Sequence, residues 1–331
     1  MKRVGVAAAA LVSFLAIPNA TAAVTSQKGT EPALAIEQVS IGAPDNRMII
    51  AIMRPAAADS NASADARARR LPLIVISHGT GAGPIAHVDT AEALTAAGFI
   101  VAAPMHRGDN FQDDSKVGRA EWLASRSRDV SNVIDYMIGE YSGRAEVDQE
   151  AVGIFGFSAG ATTALVSAGG IPDLARIAPH CAAQMEFVCN IVATPSESAG
   201  PTPPLTHDRR VVAAVVAAPG LGFTFEPSGL DAVRIPVQLW AGGSDQTVPY
   251  DTNTGVVRRL LPGPVDFHEV DNAGHLSFLA PCGPENAAHE ICRDNPGFDR
   301  AAFHRDFNRS VVDFFRSHLT HSNRRADAAS R

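Results

Sequence analysis

The sequence AVGIFGFSAGATTAL, residues 151 to 165, places one serine between two glycines, where an apolar β-branched run gives way to an alanine-rich one. The first half predicts a buried strand and the second half a helix. A Gly-x-Ser-x-Gly motif between a strand and a helix is typical of a nucleophile elbow, in which Ser158 would stand at a sharp turn. The five residues alone are weak evidence, because a serine is also an ordinary turn residue. The interpretation therefore depends on partners elsewhere in the chain.

Apolar runs alternate with longer helix-like segments along most of the chain. The predicted strands cover 35–41, 48–53, 71–79, 99–104, 151–157, 211–219, 237–242 and 265–270, and the main predicted helices cover 89–98, 119–141, 159–170 and 302–319. Alternation of this kind predicts an α/β fold, with a mostly parallel central sheet and helices on both faces. The length and the 46% hydrophobic content fit one domain over residues 24–318.

Three stretches interrupt the alternation. Residues 54–70 are small and polar and predict a surface loop, and residues 319–331 predict a disordered tail. Residues 169–210 follow the helix after Ser158 and contain a Pro-rich segment. They predict an insertion over the carboxyl edge of the sheet, which would act either as a lid that selects substrates or as a simple cover.

The N-terminal residues 1–23 predict a signal peptide. Lys2 and Arg3 precede an apolar run over 4–17, and small residues follow at 20–22. The run is shorter than the roughly 20 residues of a membrane-spanning helix. We therefore expect an exported protein, periplasmic or secreted, whose mature chain has no integral membrane segment.

The charge of the chain bears on its partners. The formal net charge is −7, and removal of the predicted signal peptide would make it −9. A negative chain is a poor binder of nucleic acid or of anionic membranes. A small-molecule or polymeric substrate is the partner we expect, and the sequence predicts no oligomeric state.

All four cysteines lie after residue 23, and export implies an oxidising compartment. Each of two pairs is close in sequence and encloses a loop-like segment, which favours disulfides between Cys181 and Cys189 and between Cys282 and Cys292. Free buried thiols are the alternative. No histidine has ligand spacing beside a Cys-x-x-Cys, so a zinc site is not indicated.

A serine nucleophile needs a base and an acid that orients the base. VQLWAGGSDQTVP places Asp245 just after a predicted strand, and HEVDNAGHLSF places His275 just after the next one. The order serine, acid, base with each group at a strand end is that of a hydrolase triad. Taken singly, Asp245 is also interpretable as a turn residue and His275 as a loop residue. The other acids and histidines nearby, Asp251, Asp271, His268, His289 and His304, lack this setting.

Acyl transfer also needs donors aimed at the oxyanion. SHGTGAG, residues 77–83, follows a predicted strand, and the expected donors are the backbone N–H groups of Thr80 and Ala159. The loop matches neither dinucleotide nor P-loop spacing. The predicted chemistry requires no metal and no organic cofactor.

Candidate substrate contacts are less well defined. His106 follows a strand end with Arg107 and Asp109, where it would border the pocket or belong to a plain turn with a surface Arg–Asp pair. Phe223 and Phe225 also follow a strand end, where they would form an apolar acyl wall or pack in the core.

Together SHGTGAG, APMHRGDN, GFSAG, GGSDQTVP and DNAGHLSFLAPC resemble the secreted α/β hydrolases called predicted dienelactone hydrolases, which are related to platelet-activating-factor acetylhydrolases. The similarity runs from about residue 35 to 318. It implies an α/β-hydrolase fold, with Ser158 as nucleophile, Asp245 as acid, His275 as base, and Thr80 and Ala159 as oxyanion donors. True dienelactone hydrolases use a cysteine nucleophile, so the serine here favours hydrolysis of carboxylic esters over dienelactones. A peptidase or amidase, or an inactive binding protein on the same scaffold, are the alternatives.

Overall fold

The computed structural model describes residues 36–44, 46–55, 70–192 and 203–319. The predicted signal peptide and nearly all of the predicted surface loop and tail lie outside these residues. Eight strands are described: β1 (Ile36–Ile41), β2 (Met48–Met53), β3 (Leu71–Ser77), β4 (Ile100–Pro104), β5 (Val147–Phe157), β6 (Val211–Ala217), β7 (Val237–Gly242) and β8 (Val265–Val270).

All eight strands form one sheet in the order β1-β2-β4-β3-β5-β6-β7-β8. β1 and β2 pair antiparallel, as do β2 and β4, and every other neighbouring pair is parallel. The sheet confirms the predicted α/β fold. Because β3, β5, β6, β7 and β8 run in the same direction, the loops after them meet at one edge.

Helices cover both faces of the sheet. The helices are α1 (Val88–Ala96), α2 (Trp122–Gly139), α3 (Ala159–Ser167), α4 (Ile177–Ala183), α5 (Phe187–Ile191), α6 (Thr254–Leu260) and α7 (Arg300–Leu319). One buried cluster joins α2, α3 and α6 to the sheet, and the other joins α1 and α7 to the opposite face. Residues of the inner strands β2 to β7 therefore lose contact with water on both sides, which explains their near-continuous apolar sequences, whereas the edge strands β1 and β8 stay partly exposed.

The predicted strand bounds agree closely with the observed ones, except at β5. β5 begins at Val147 rather than at residue 151, because Val147 and Asp148 pair with β3 before an irregularity in the register. The exposed polar residues Gln149 and Glu150 interrupt the apolar pattern, so this part of the strand was not predicted. At the other end of the chain, Leu319 is the last residue of α7 and is fully buried, so it does not belong to the predicted tail.

The predicted insertion contains the two short helices α4 and α5 within its described part, 169–192 and 203–210. The structure has both predicted disulfides: Cys181 is bonded to Cys189 across the α4–α5 turn, and Cys282 to Cys292 in the loop before α7. Such bonds are compatible with export. In the part of the chain that the structure describes, no helix combines the length and the apolar character needed to cross a membrane.

Candidate active site

Ser158 lies between β5 and α3 in a strained backbone conformation. Its φ is 55° and its ψ is −120°, values that an L-residue rarely adopts. The turn leaves Ser158 partly exposed at the carboxyl edge of the sheet, while its neighbours in β5 and α3 are buried. Strain of this kind is common at functional sites because a tight turn presents the side chain away from both elements.

The two glycines of the motif permit close approach of backbone segments. A Cβ atom at Gly160 would lie 1.9 Å from the carbonyl oxygen of Ser77, and one at Gly156 would lie 2.1 Å from that of Gly160. No larger residue fits at either position without a backbone shift. The glycines therefore allow α3 to start directly against the end of β3.

His275 lies between Ser158 and Asp245. Its Nε2 is 2.9 Å from the Ser158 Oγ, and its Nδ1 is 2.7 Å from the Asp245 Oδ2. Because a carboxylate only accepts hydrogen bonds, Nδ1 carries the proton in this contact and Nε2 is free to accept one from the serine hydroxyl. The ring of Phe157 packs beside the imidazole, with 4.7 Å between the ring centroids.

The Asp245 carboxylate is fixed at both oxygens. Oδ1 accepts hydrogen bonds from the N–H groups of Thr247 and Val248, both at 2.9 Å, and Oδ2 faces His275. Asp245 and His275 are buried, at 5% and 7% exposure. Neither group can turn away without leaving hydrogen-bonding groups unpaired.

The short loop that carries His275 is held by Ser277. The Ser277 Oγ accepts from the Gly274 N–H at 3.1 Å and donates to Asp294 at 2.7 Å, while its carbonyl oxygen lies 2.9 Å from the His304 Nε2. Asp294 is in turn bound by Arg300 at the start of α7. His304, which the sequence did not favour as the base, thus supports the loop that carries His275.

The glycine-rich loop 78–83 lies directly against the serine. A Cβ atom at Gly79 would lie 3.4 Å from the Cβ of Ser158. The N–H groups of Thr80 and Ala159 make no hydrogen bond within the described part of the chain. They are the donors that the sequence indicates for an oxyanion, and Thr80 is only partly buried.

His106 does not border a pocket. It has no exposed surface, its Nε2 lies 2.8 Å from the Ser77 Oγ, and its Nδ1 lies 3.4 Å from Asp129. The prediction of a substrate contact at His106 is therefore wrong. A surface Arg–Asp pair is also absent here, because Arg107 pairs with Asp129 and Asp109 is completely buried.

The two candidate phenylalanines have different surroundings. Phe225 belongs to the large core cluster between the sheet and the α2, α3 and α6 helices, where core packing accounts for it. Phe223 belongs to a smaller apolar cluster that includes Ala159, the residue after the serine. The contact of Phe223 with an acyl group stays a prediction.

The insertion is fixed over this smaller cluster by a buried carboxylate. Glu186, 5% exposed, accepts hydrogen bonds from Thr252 at 2.5 Å and from the Asn253 side chain at 3.0 Å. The Asn253 Oδ1 accepts from the Gly222 N–H, and the His180 ring stacks on Phe223 with 3.6 Å between the centroids. The described part of the insertion is thus bound to two strand-end loops, as a fixed cover would be.

Comparison with known protein families also indicates a hydrolase. The dienelactone hydrolase family model matches residues 60–194. Among solved structures, a dienelactone hydrolase from Anabaena variabilis superimposes with a TM-score of 0.52 and 15% identity, covering 87% of this chain and 99% of that one. The chain has a dienelactone hydrolase-like α/β-hydrolase fold. The family match supports a hydrolytic enzyme.

Other solved structures share the hydrolase fold. A ferulic acid esterase from Streptomyces cinnamoneus has a TM-score of 0.54 and 19% identity over 83% of each chain. A 2,6-dihydroxy-pseudo-oxynicotine hydrolase has a TM-score of 0.53 and 12% identity, covering 87% of this chain and 69% of that one. No curated protein matches the sequence. At these identities the likeness concerns the fold.

Several residues around the candidate site were not predicted from the sequence. Arg126 had a usable signal, because it falls on the buried stripe of α2 between Leu123 and Val130, where a charge needs a partner. Asn253 gave no such signal because it lies in polar loop sequence, and Glu186 gave none because it lies between two helices that are too short to show a buried stripe. Among the described residues no group of three or more His, Cys, Asp or Glu side chains is arranged to hold a metal ion.

Three buried histidines make the stability of the hydrolase sensitive to acid. Burial lowers the pKa of His87 and His106 to about 4, and burial together with the nearby His106 and Arg126 lowers that of His78 well below its ordinary value. The unfolded chain takes up protons at these positions below about pH 6.5, and the folded chain does not. The free energy of unfolding should therefore fall between pH 6.5 and 4, by up to about 1.4 kcal/mol per pH unit for each ring.

Urea unfolding at pH 7, 6 and 5 measures this slope. His87→Phe retains an aromatic ring against Phe155 and Phe157 and removes one titrating group. Its slope should be smaller than that of the wild type by about one proton. A wild-type stability that is constant from pH 7 to 5, or an unchanged slope in the variant, would contradict the expectation.

Proposed function

We propose that the protein is a serine hydrolase of carboxylic esters that works through an acyl-enzyme. The observation that carries the proposal is the position of the His275 ring, 2.9 Å from the Ser158 Oγ and 2.7 Å from the Asp245 Oδ2. The imidazole is thus within hydrogen-bond reach of both the hydroxyl and the carboxylate, which is the arrangement that this chemistry requires.

In the first step, His275 takes the proton of Ser158 as the Oγ attacks the ester carbonyl carbon. The N–H groups of Thr80 and Ala159 stabilise the negative oxygen of the tetrahedral intermediate. His275 then gives its proton to the leaving alkoxide, and the C–O bond breaks. Asp245 stays ionised throughout and stabilises the imidazolium.

In the second step, water attacks the acyl-serine. His275 accepts a proton from the water, and the carbonyl oxygen again becomes an oxyanion between the same two N–H groups. Collapse of the intermediate returns the proton to the Ser158 Oγ and releases the carboxylic acid. No metal or organic cofactor takes part in this sequence.

The acyl side of the proposed site is apolar. The cluster beside Ala159 contains Trp122, Leu123, Val188, Leu221 and Phe223. These side chains are already buried, at 0% to 8% exposure, so an apolar acyl chain or ring beside Ala159 would bury its own surface against apolar groups. We therefore place the acyl group against Phe223 and the leaving alcohol toward solvent. The two disulfides are compatible with an exported enzyme, so an extracytoplasmic ester substrate is part of the proposal.

Matched esters and amides test the proposed function. Purified protein should hydrolyse p-nitrophenyl butyrate, and its kcat/KM for the corresponding butyryl anilide should be lower by at least about a hundredfold. Preferential hydrolysis of the anilide would indicate an amidase on the same residues. Absence of turnover for esters of short, medium and aromatic acyl groups would overturn the proposal in favour of an inactive scaffold.

A further inference from the structure

The loop that carries Thr80 is bound on both sides by one buried ion pair, Asp109 and Arg126. Asp109 accepts a hydrogen bond from the Gly81 N–H at 2.8 Å. Arg126 pairs with the other oxygen of Asp109 and also donates to the carbonyl oxygen of His78. The peptide groups before and after Gly79–Thr80 are therefore fixed by the two members of the same pair.

The pair also reaches the helix that follows Ser158. The Arg126 Nε donates to the Thr163 Oγ1 at 3.0 Å, and Thr163 lies one turn into α3, which begins at Ala159. Its hydroxyl in turn donates to the Ala159 carbonyl oxygen at 2.8 Å. One guanidinium thus connects the loop of Thr80 with the helix start of Ala159, the two proposed oxyanion donors.

Stability is a poor explanation for this pair. Asp109 and Arg126 have no exposed surface, and removing two charges from water costs about as much as their attraction returns. The Asp109 carboxylate is nevertheless fully bound, because the Trp122 indole N–H donates to Oδ2 at 2.6 Å. A completely bound, rigid pair is better suited to fixing geometry than to adding net stability.

The surrounding side chains add a second layer of support. Arg126 lies 3.4 Å from the Ser77 Oγ, which contacts the His106 Nε2, and the His106 N–H donates to the His78 Nε2 at 3.2 Å. Burial keeps the pKa of His78 and His106 low, so both rings are neutral near pH 7. Arg126 is thus the charged partner of the loop, through the carbonyl oxygen of His78.

We propose that Asp109 and Arg126 are positioning residues of the oxyanion hole, which hold the Thr80 N–H at a fixed distance and angle from the Ala159 N–H. The inference rests on the proposed ester hydrolysis. Donors that are fixed in advance stabilise the oxyanion without reorganising during the reaction, and loss of one such donor costs about a hundredfold or more in kcat. Displacement of Thr80 should therefore affect the transition state far more than the bound substrate.

Asp109→Asn separates an effect on the transition state from an effect on substrate binding. An asparagine oxygen that faces Arg126 and Trp122 turns its NH2 group toward the Gly81 N–H, so the contact with the loop is lost. We expect kcat for p-nitrophenyl butyrate to fall about thirtyfold to a hundredfold, with KM within about twofold. The inhibition constant of butylboronic acid, which forms a tetrahedral adduct with serine, should rise by the same factor as kcat/KM falls.

Arg126→Lys provides a second variant, because a lysine preserves the ion pair but cannot bind Asp109, His78 and Thr163 together. Asp208→Asn is the control, since Asp208 is also buried and paired with an arginine, Arg210, but does not contact the loop. It should leave kcat and the boronic acid constant within about twofold.

The possible results separate this inference from the proposed function. An active wild type, with Asp109→Asn or Arg126→Lys defective in kcat and in boronic acid binding, supports the positioning role. Losses below threefold in both variants, losses in KM alone, or losses equal to that of Asp208→Asn overturn the inference and leave ester hydrolysis standing. A wild type that neither hydrolyses esters nor binds the boronic acid overturns both.

Discussion

Ser158→Ala is expected to lower kcat/KM for p-nitrophenyl butyrate by about four orders of magnitude or more. The change removes only the Oγ that lies 2.9 Å from the His275 Nε2, so no acyl-enzyme can form. Turnover that remains would come from water acting within the binding site. Initial rates at several substrate concentrations, with circular dichroism to verify folding, provide the measurement.

Ser167→Ala is the matched control for this experiment. Ser167 lies at the end of the same helix, α3, is 1% exposed, and its Oγ has no hydrogen-bond partner among the described residues. Its removal should leave the rate within about twofold. If Ser158→Ala retained more than about one per cent of the wild-type kcat/KM, the assignment of the nucleophile would be wrong.

Asp245→Asn is expected to lower kcat by about 10⁴, with a much smaller change in KM. The reason lies in the contacts of the carboxylate. Oδ1 accepts from two backbone N–H groups, so the amide oxygen of asparagine takes that position and its NH2 group faces His275. The Nδ1 must then accept a hydrogen bond, and the proton moves to Nε2. The ring can no longer take a proton from Ser158.

Asp251→Asn controls for the loss of a charge in the same loop, because Asp251 is exposed and lies six residues further along the chain. We expect its kcat to equal that of the wild type within about twofold. An Asp245→Asn enzyme with kcat reduced less than tenfold would indicate that His275 does not depend on this carboxylate for its tautomer.

The architecture was predictable because the inner strands of the sheet, β2 to β7, are mostly buried on both faces. Long apolar runs such as 71–79 and 237–242 therefore appear without interruption in the sequence. β5 shows the limit of this signal, since its first residues are interrupted by exposed Gln149 and Glu150. The helix α6 was not predicted, because its seven residues are too few to give a clear helical period.

The sequence was sufficient to predict which three side chains of the candidate site lie together, but not the contacts that support them. Ser158, Asp245 and His275 each lie within five residues of a strand end, and parallel strands bring such positions to one edge of the sheet. The supporting contacts join distant, unrelated segments. Asp109 binds Arg126 from the far side of a loop, and Glu186 binds a loop more than sixty residues away. Pairings of this kind depend on the final packing and leave no local pattern.

The candidate substrate contacts were also difficult to predict from the sequence. His106 and Phe225 follow strand ends just as Phe223 does, so position along the chain could not separate them. In the fold, His106 turns back toward Ser77 and Asp129, whereas Phe223 packs in the cluster that contains Ala159. The direction of a side chain after a strand depends on its local turn, which the sequence pattern does not specify.

The central claim, that Ser158 is the residue acylated during turnover, is tested most directly by covalent labelling with a fluorophosphonate followed by tandem mass spectrometry. Cleavage after Arg144 and Arg176 gives one peptide that contains both Ser158 and Ser167. We expect one adduct per molecule, on Ser158, with loss of ester hydrolysis in proportion to labelling. An adduct on any other residue, or an active enzyme that the probe does not label, would contradict it.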